Sequence, residues 1–263
     1  ESRTTYINGE VVGKLETYGF SAQIDHDFDG FTLTSITAYR DYDEYQNIDA
    51  DFTDLTLNGH RILNQTYDTF TQEIRLASTT DNPVQWLVGG YYFNQDLRAT
   101  NSTQQGALLR PFADAFTGGA ISLLEAAFSL PAGTFLAEGS GQVLGAFDQT
   151  NETYGLFGQV DWSVNDKLTL TAGLRYTHDS KTMVSDITIN DPFAALDFVQ
   201  IFIAQAVAGG VPLAVAEQLS TNPDTNPYLG LGALQFFPPA GNVSGDQSDG
   251  ALTGTLKVSY DVS

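Results

Sequence analysis

Cysteine is absent from the chain, which removes disulfides, zinc ribbons, thiol nucleophiles and iron–sulfur ligation together. Basic residues are scarce: 11 Lys and Arg stand against 32 Asp and Glu in 263 residues, a net charge of −21. Nucleic acid is therefore not expected as a partner, because phosphate binding needs clustered Lys and Arg and no such cluster exists. Charge of either sign is sparse at 16%, whereas apolar residues reach 42%, so the composition is not that of a disordered chain. Met183 is the single methionine. With no initiating Met and no signal peptide, the chain reads as a mature piece or a fragment. Long apolar runs are lacking too, with one exception. Phe198–Ala216 is long enough for a spanning helix, but it holds Gln200, Gln205, Gly209-Gly210 and Pro212. Gly-Gly followed by Pro interrupts a helix, so two short loop helices are expected.

What the sequence has in abundance is period two. In Leu168–Lys181, Leu168, Leu170, Ala172, Leu174 and Tyr176 alternate with Thr169, Thr171, Gly173, Arg175 and Thr177. Successive side chains of a strand point to opposite faces, so this is a strand with one apolar and one polar side. The same alternation runs through Thr17–Phe28, Thr66–Ser78, Thr153–Ser163 and Ala251–Val262, while Phe31 to about Ile48 and Val84 to about Thr100 are strands whose facing stays open. Several reach 11 residues or more, as a tilted strand crossing a bilayer requires. Tyr18, Tyr154, Trp162, Tyr176 and Tyr260 sit near the ends of apolar faces, where aromatics at a membrane interface belong.

The connections alternate between tight and long. Asp27–Gly30, Thr79–Pro83 and Val164–Lys167 carry turn residues; roughly 50–65, 101–150 and 182–248 are long links. In an up-and-down sheet this collects every tight turn on one side and every long loop on the other, the plan of an outer-membrane barrel. Gly119–Leu130, Phe193–Val207 and Pro212–Leu219 have helical spacing, so the long loops are expected to fold on themselves or to offer an apolar contact surface.

Several blocks carry a family resemblance. Leu33–Arg40 (LTSITAYR), Thr71–Ser78 (TQEIRLAS), Trp86–Phe93 (WLVGGYYF), Tyr154–Trp162 (YGLFGQVDW) and Leu168–Tyr176 (LTLTAGLRY) resemble strands of TonB-dependent outer-membrane receptors. The resemblance implies a 22-stranded barrel closed by a plug domain, and uptake of scarce large solutes with energy delivered by TonB. No plug or TonB box precedes Glu1, and no closing strand with a terminal aromatic ends the chain. Residues 1–263 are therefore expected to be the middle of such a barrel domain. Outer-membrane lipid, lipopolysaccharide, the receptor's own plug and TonB are the implied partners; the solute is not named by the sequence.

Other constellations carry less. Asp25, Asp27, Asp29 and Gly30 imitate a calcium loop, but its twelfth position is Ile36 instead of Glu. Gly139, Gly141 and Gly145 miss the dinucleotide spacing. His26, His60 and His178 are far apart, with no nucleophile set beside them. Neither catalysis nor a cofactor or metal site is expected, although Asp41, Asp43, Glu44, Asp49, Asp51 and Asp54 crowd one strand end, as a solvated rim or a place for a bridging cation. Glu73, Arg75 and Arg175 fall on polar faces and are the candidates to line a barrel lumen, paired with each other or with a plug. The expected fold is all-β: a partial antiparallel up-and-down transmembrane barrel in a bacterial outer membrane. A passive porin or structural barrel, and a secreted β-sandwich binding module, are the alternatives.

Overall fold

The computed structural model describes residues 6–235 and 240–262. Seven strands run in alternating directions, each paired with its sequence neighbours: β1 (Val12–Phe28), β2 (Phe31–Ile48), β3 (Asn58–Ser78), β4 (Val84–Gln105), β5 (Gly141–Asn165), β6 (Leu168–Ile189) and β7 (Gly241–Tyr260). Thr, Tyr, Phe, Val and Ile dominate them, the residues that fit a pleated surface. The tight turns form where turn chemistry is written. Gly30 takes a φ of 94° between β1 and β2, a left-handed conformation that glycine adopts at no steric cost. Between β5 and β6, Asn165 Oδ1 accepts hydrogen bonds from the backbone N–H groups of Lys167 and Leu168, both at 3.0 Å.

The strands outrun the periodicity that announces them. Their connections span 49–57, 106–140 and 190–240, shorter than the 50–65, 101–150 and 182–248 expected; within the last, 236–239 lie outside the described residues. The reason is that beyond the apolar stretch the regular alternation lapses: Asn101–Gln105 of β4 has no apolar residue, while Ile62-Leu63, Val143-Leu144 and Met183-Val184 set apolar residues side by side. Alternation then disappears from the sequence while the backbone ladder continues. β7 ends at Tyr260, so Val262 lies beyond the strand. The open facing of β2 and β4 is settled by register: Phe31, Leu33 and Tyr39 share the face of Phe28, His26 and Phe20, and β4 keeps one alternation up to a shift between Ala99 and Asn101.

Among the described residues four short α-helices occupy the long connections: α1 (Leu109–Phe116), α2 (Ala120–Ala127), α3 (Phe198–Ala208) and α4 (Leu213–Ser220). α1 has no counterpart among the sequence expectations. The expected helix over Phe193–Val207 is split. Pro192–Ala195 forms a 3-10 turn, and α3 starts after Asp197, whose carboxylate accepts from the N–H groups of Val199 and Gln200, both at 3.0 Å. This is an N-cap, which begins a helix where it sits. Gly210, at φ 93°, and Pro212 separate α3 from α4, and among the described residues no helix is long and apolar enough to cross a membrane.

The buried core is not in the sheet. Leu109, Ala113, Ile121, Leu124, Phe135 and Leu136 from one long loop pack with Phe193, Phe198, Leu231 and Leu234 from the other. Among the described residues no strand contributes a buried apolar side chain. The two loops thus share one hydrophobic centre, joined by edge-on and tilted contacts of Phe193 with Phe135 and Phe198 at 5.7 and 5.6 Å. The expectation that each loop folds on itself is corrected: they fold on each other.

Candidate functional site

Residues opposite one another in an antiparallel ladder share a face, so the register can be followed across the sheet row by row. One row reads His26, Leu33, Leu76, Val88, Gly158, Leu174 and Gly254; the next reads Ile24, Ser35, Ile74, Gly90, Leu156, Tyr176 and Leu252. This face is apolar and uncovered: Leu256, Val258 and Leu174 are 88%, 70% and 57% exposed. Among the described residues no second protein layer lies over it.

The aromatics expected at an interface all lie on this face, at two levels. Trp162 and Tyr260 are near the tight turns, whereas Tyr18, Tyr154 and Tyr176 lie toward the long loops. From Trp162 to Tyr154 is eight residues of β5, about 26 Å along a strand, or about 20 Å of height at a barrel tilt near 40°. At the level of Tyr18, which is paired with Asp41, the face turns acidic, with Asp41, Asp68 and Asp96 in a single row. Tyr39 donates its hydroxyl to Asp68 at 2.5 Å, and Thr150 donates to Asp96 at 2.6 Å. Ionised carboxylates cannot remain in hydrocarbon, so this row closes the apolar band. His26 and His178 stay within the band, against Phe28 and Tyr154 at 4.4 and 5.0 Å.

On the opposite face, Arg75 and Arg175 share one row but are separated by Gly89 and Phe157. Three strand spacings amount to about 14 Å, so the three charges do not form one cluster. Arg75 pairs with Glu73 at 3.1 Å, while Arg175 Nε donates to Thr177 Oγ1 at 3.0 Å. Gly89 is required between them. A Cβ there would meet the Phe157 ring at 2.5 Å and the Ile74 carbonyl at 2.8 Å. Further toward the loops this face holds a groove of about 970 Å³ lined by Arg40, Tyr42 and Tyr67. Their sequence signal was present as alternation in β2, but only the register assigns the face.

The acidic crowd at the end of β2 is dispersed. Asp41 and Asp43 share the apolar band's face and Glu44 the other. Asp49 accepts from the N–H groups of Asn8 and Asp51, both at 3.1 Å. Asp51 accepts from those of Thr53, Leu57 and Asn58 at 2.9, 3.1 and 2.7 Å. Desolvation raises the Asp51 carboxyl, but these bonds outweigh it and hold it below the usual carboxylate range. The carboxylates shape the turn, and among the described residues no three His, Asp or Glu converge as metal ligands.

The shared loop core has its own polar seam, which sequence reasoning missed. Asp191 accepts from Gln105 Nε2 at 2.9 Å and from the N–H groups of Leu136 and Phe193 at 3.1 and 3.2 Å, so one buried carboxylate ties β4 and both long loops. Glu125, on α2, is buried. It accepts from Arg110 Nη2 at 2.8 Å, and from the N–H groups of Phe135 and Gly133 at 2.8 and 3.1 Å. Burial pushes its carboxyl up, yet Arg110 and the two backbone donors prevail and hold it low.

A solved structure shares this architecture. The chain aligns with the ferric yersiniabactin uptake receptor FyuA from Yersinia pestis at a TM-score of 0.57 and 12% identity, over 96% of this chain and 27% of that one. The chain thus spans about a quarter of the length of that receptor, and the likeness identifies the sheet as a section of a barrel wall. The model of the TonB dependent receptor-like β-barrel family matches residues 2–263, and the chain belongs to that family.

Proposed function

We propose that this chain supplies part of the wall and the outer cap of a Gram-negative outer-membrane receptor. That receptor takes up a scarce large solute, such as an iron–siderophore complex, with energy from TonB. The observation that carries the reading is the uncovered apolar face, with Leu174, Leu256 and Val258 open to solvent and bounded by aromatics and then by carboxylates. Such a surface is stable when lipid covers it. In this placement the tight turns face the periplasm, the two long loops cap the outer mouth, and Glu73, Arg75 and Arg175 face the bore. Tyr18, Tyr154 and Tyr176 meet one membrane interface, and Trp162 and Tyr260 the other. Lipopolysaccharide then borders the acidic row, and the plug and TonB act from other parts of the receptor. The reaction is transport, with no catalysis assigned.

The test is uptake by cells carrying the full-length receptor, with and without TonB, under iron limitation. Uptake of a ferric siderophore lost on deletion of TonB is expected. Passage that persists without TonB identifies a passive porin, and release of the protein in soluble form identifies a secreted binding module. Either outcome overturns the proposal.

A further inference from the structure

Arg40 is an isolated cation in a strongly acidic chain. The register sets Gly19 and Thr69 directly across from it, and Ala38 and Tyr42 beside it along β2. Thr17, Ser21, Tyr67 and Thr71 are the diagonal neighbours. None of these is charged. Among the described residues no carboxylate lies within ion-pairing distance of Arg40, whereas Arg75 and Arg98 each have one and Arg110 has two. Arg61 and Arg175 likewise have no carboxylate partner among the described residues, so what sets Arg40 apart is the groove it lines. The planar fork of Arg40 matches an anionic oxygen group bidentately.

The surroundings fit more than a lone anion. Arg40 lines the groove of about 970 Å³, at the upper end of the range of ligand pockets. Gly19 lines the groove, and a Cβ there would lie 2.6 Å from the Tyr39 carbonyl oxygen and 3.6 Å from Arg40 Cβ. One wall is the stacked pair Tyr42 and Tyr67, with ring centroids 4.2 Å apart and planes 10° from parallel. The Tyr42 hydroxyl donates to Glu44 at 2.8 Å, which steadies its ring. Thr69 Oγ1 accepts from Gln95 Nε2 at 3.0 Å, so its own proton is available to a ligand. In height, Arg40 lies between the row of Phe20, Tyr39 and Phe70 and the row of Asp41 and Asp68. That is the level where the apolar band ends, beneath the loops.

Resting on the receptor reading, we propose that this groove is a subsite for a solute that carries a carboxylate beside a flat ring. Arg40 holds the carboxylate, the Tyr42–Tyr67 stack takes the ring, and Thr69 donates to a ligand oxygen.

The probe is 2-naphthoate, with 2-naphthamide as its uncharged counterpart, bound to the purified full-length receptor in detergent and followed by ligand fluorescence. The native receptor is expected to bind naphthoate at least about tenfold more tightly than naphthamide, a difference of about 1.4 kcal/mol. Arg40→Gln abolishes that preference and leaves naphthamide binding unchanged; Tyr67→Ala weakens both ligands. Arg40→Lys retains a reduced preference and serves if the Gln variant does not assemble. Equal or absent binding of the two probes by the native receptor overturns the proposal, as does a preference that survives Arg40→Gln or a Tyr67→Ala variant that binds as before. The transport reading fails separately: an Arg40-dependent naphthoate preference in a receptor without TonB-dependent uptake keeps the subsite and removes the transporter.

Discussion

At the scale of single residues, the two faces of each strand obey opposite rules. Leu174 lies about midway between the Trp162 and Tyr154 levels on the apolar face, so Leu174→Arg places a charge in hydrocarbon. A loss of roughly 2–4 kcal/mol is expected for such a change near the bilayer midplane, read as a lower urea midpoint for the receptor in liposomes. Thr255→Arg, one face over on β7, should leave that midpoint nearly unchanged. Equal effects of the two substitutions would show that lipid does not cover the apolar face. Glu125 obeys a different rule. It is nearly inaccessible and holds Arg110 and two backbone donors, so Glu125→Ala leaves the two backbone donors unpaired and Arg110 with Asp114 as its one carboxylate, at a cost on the order of 3 kcal/mol. Because its folded carboxyl is held below the ordinary Glu value, near 4.3, its stabilisation is fully present above that value. It is lost as the pH falls through the lowered folded one. Hydrogen exchange of α1 and α2 is therefore expected to be flat from pH 7 to about 5, after correction for intrinsic rates, and to accelerate below about pH 4.

Elements bring in a second level of organisation. β-strands 17 to 25 residues long hold themselves by ladder bonds and need no protein core, while the loop helices are 8 to 11 residues, too short to persist alone. α1 and α2 depend on Phe193, Phe198, Leu231 and Leu234 of the other loop, and the tie between the loops is Asp191. Asp191→Ala lies in the 190–240 loop, yet it is expected to expose α1 and α2 of the 106–140 loop to limited proteolysis. Cleavage confined to 190–240 would show that the loops are independent. For the same reason, deleting either long loop should unfold the one that remains, and solute affinity should fall to the same extent in both deletions.

At the scale of the whole molecule the described residues form an open sheet of seven strands, with β1 and β7 at its two edges. Each unpaired backbone group in hydrocarbon costs several kcal/mol, so edges must be closed by strands that these residues do not supply. Residues 1–263 expressed alone are expected to give no stable single-channel conductance in planar bilayers. A steady unitary current would mean that seven strands close on themselves. The asymmetry of the connections acts at this scale as well. Three tight turns at one end leave the opposite mouth to the loops, so the jointly folded cap and the Arg40 groove lie toward the same end of the wall.

The division of information follows from the range of the forces. Alternation in Leu168–Tyr176 and turn residues such as Asn165 and Gly30 act over two to four positions, so strand direction, one-sided apolarity and the tight turns were legible in the amino-acid order. Strand ends were not, because above the apolar band the regular alternation lapses while the backbone ladder continues. Register belongs to pairs of strands, and it alone separated Arg75 from Arg175 and set Arg40 among uncharged neighbours. The loop core was decided last and furthest away: Asp191 meets Gln105 across 86 positions, a contact whose entropy of closure only the folded wall can offset.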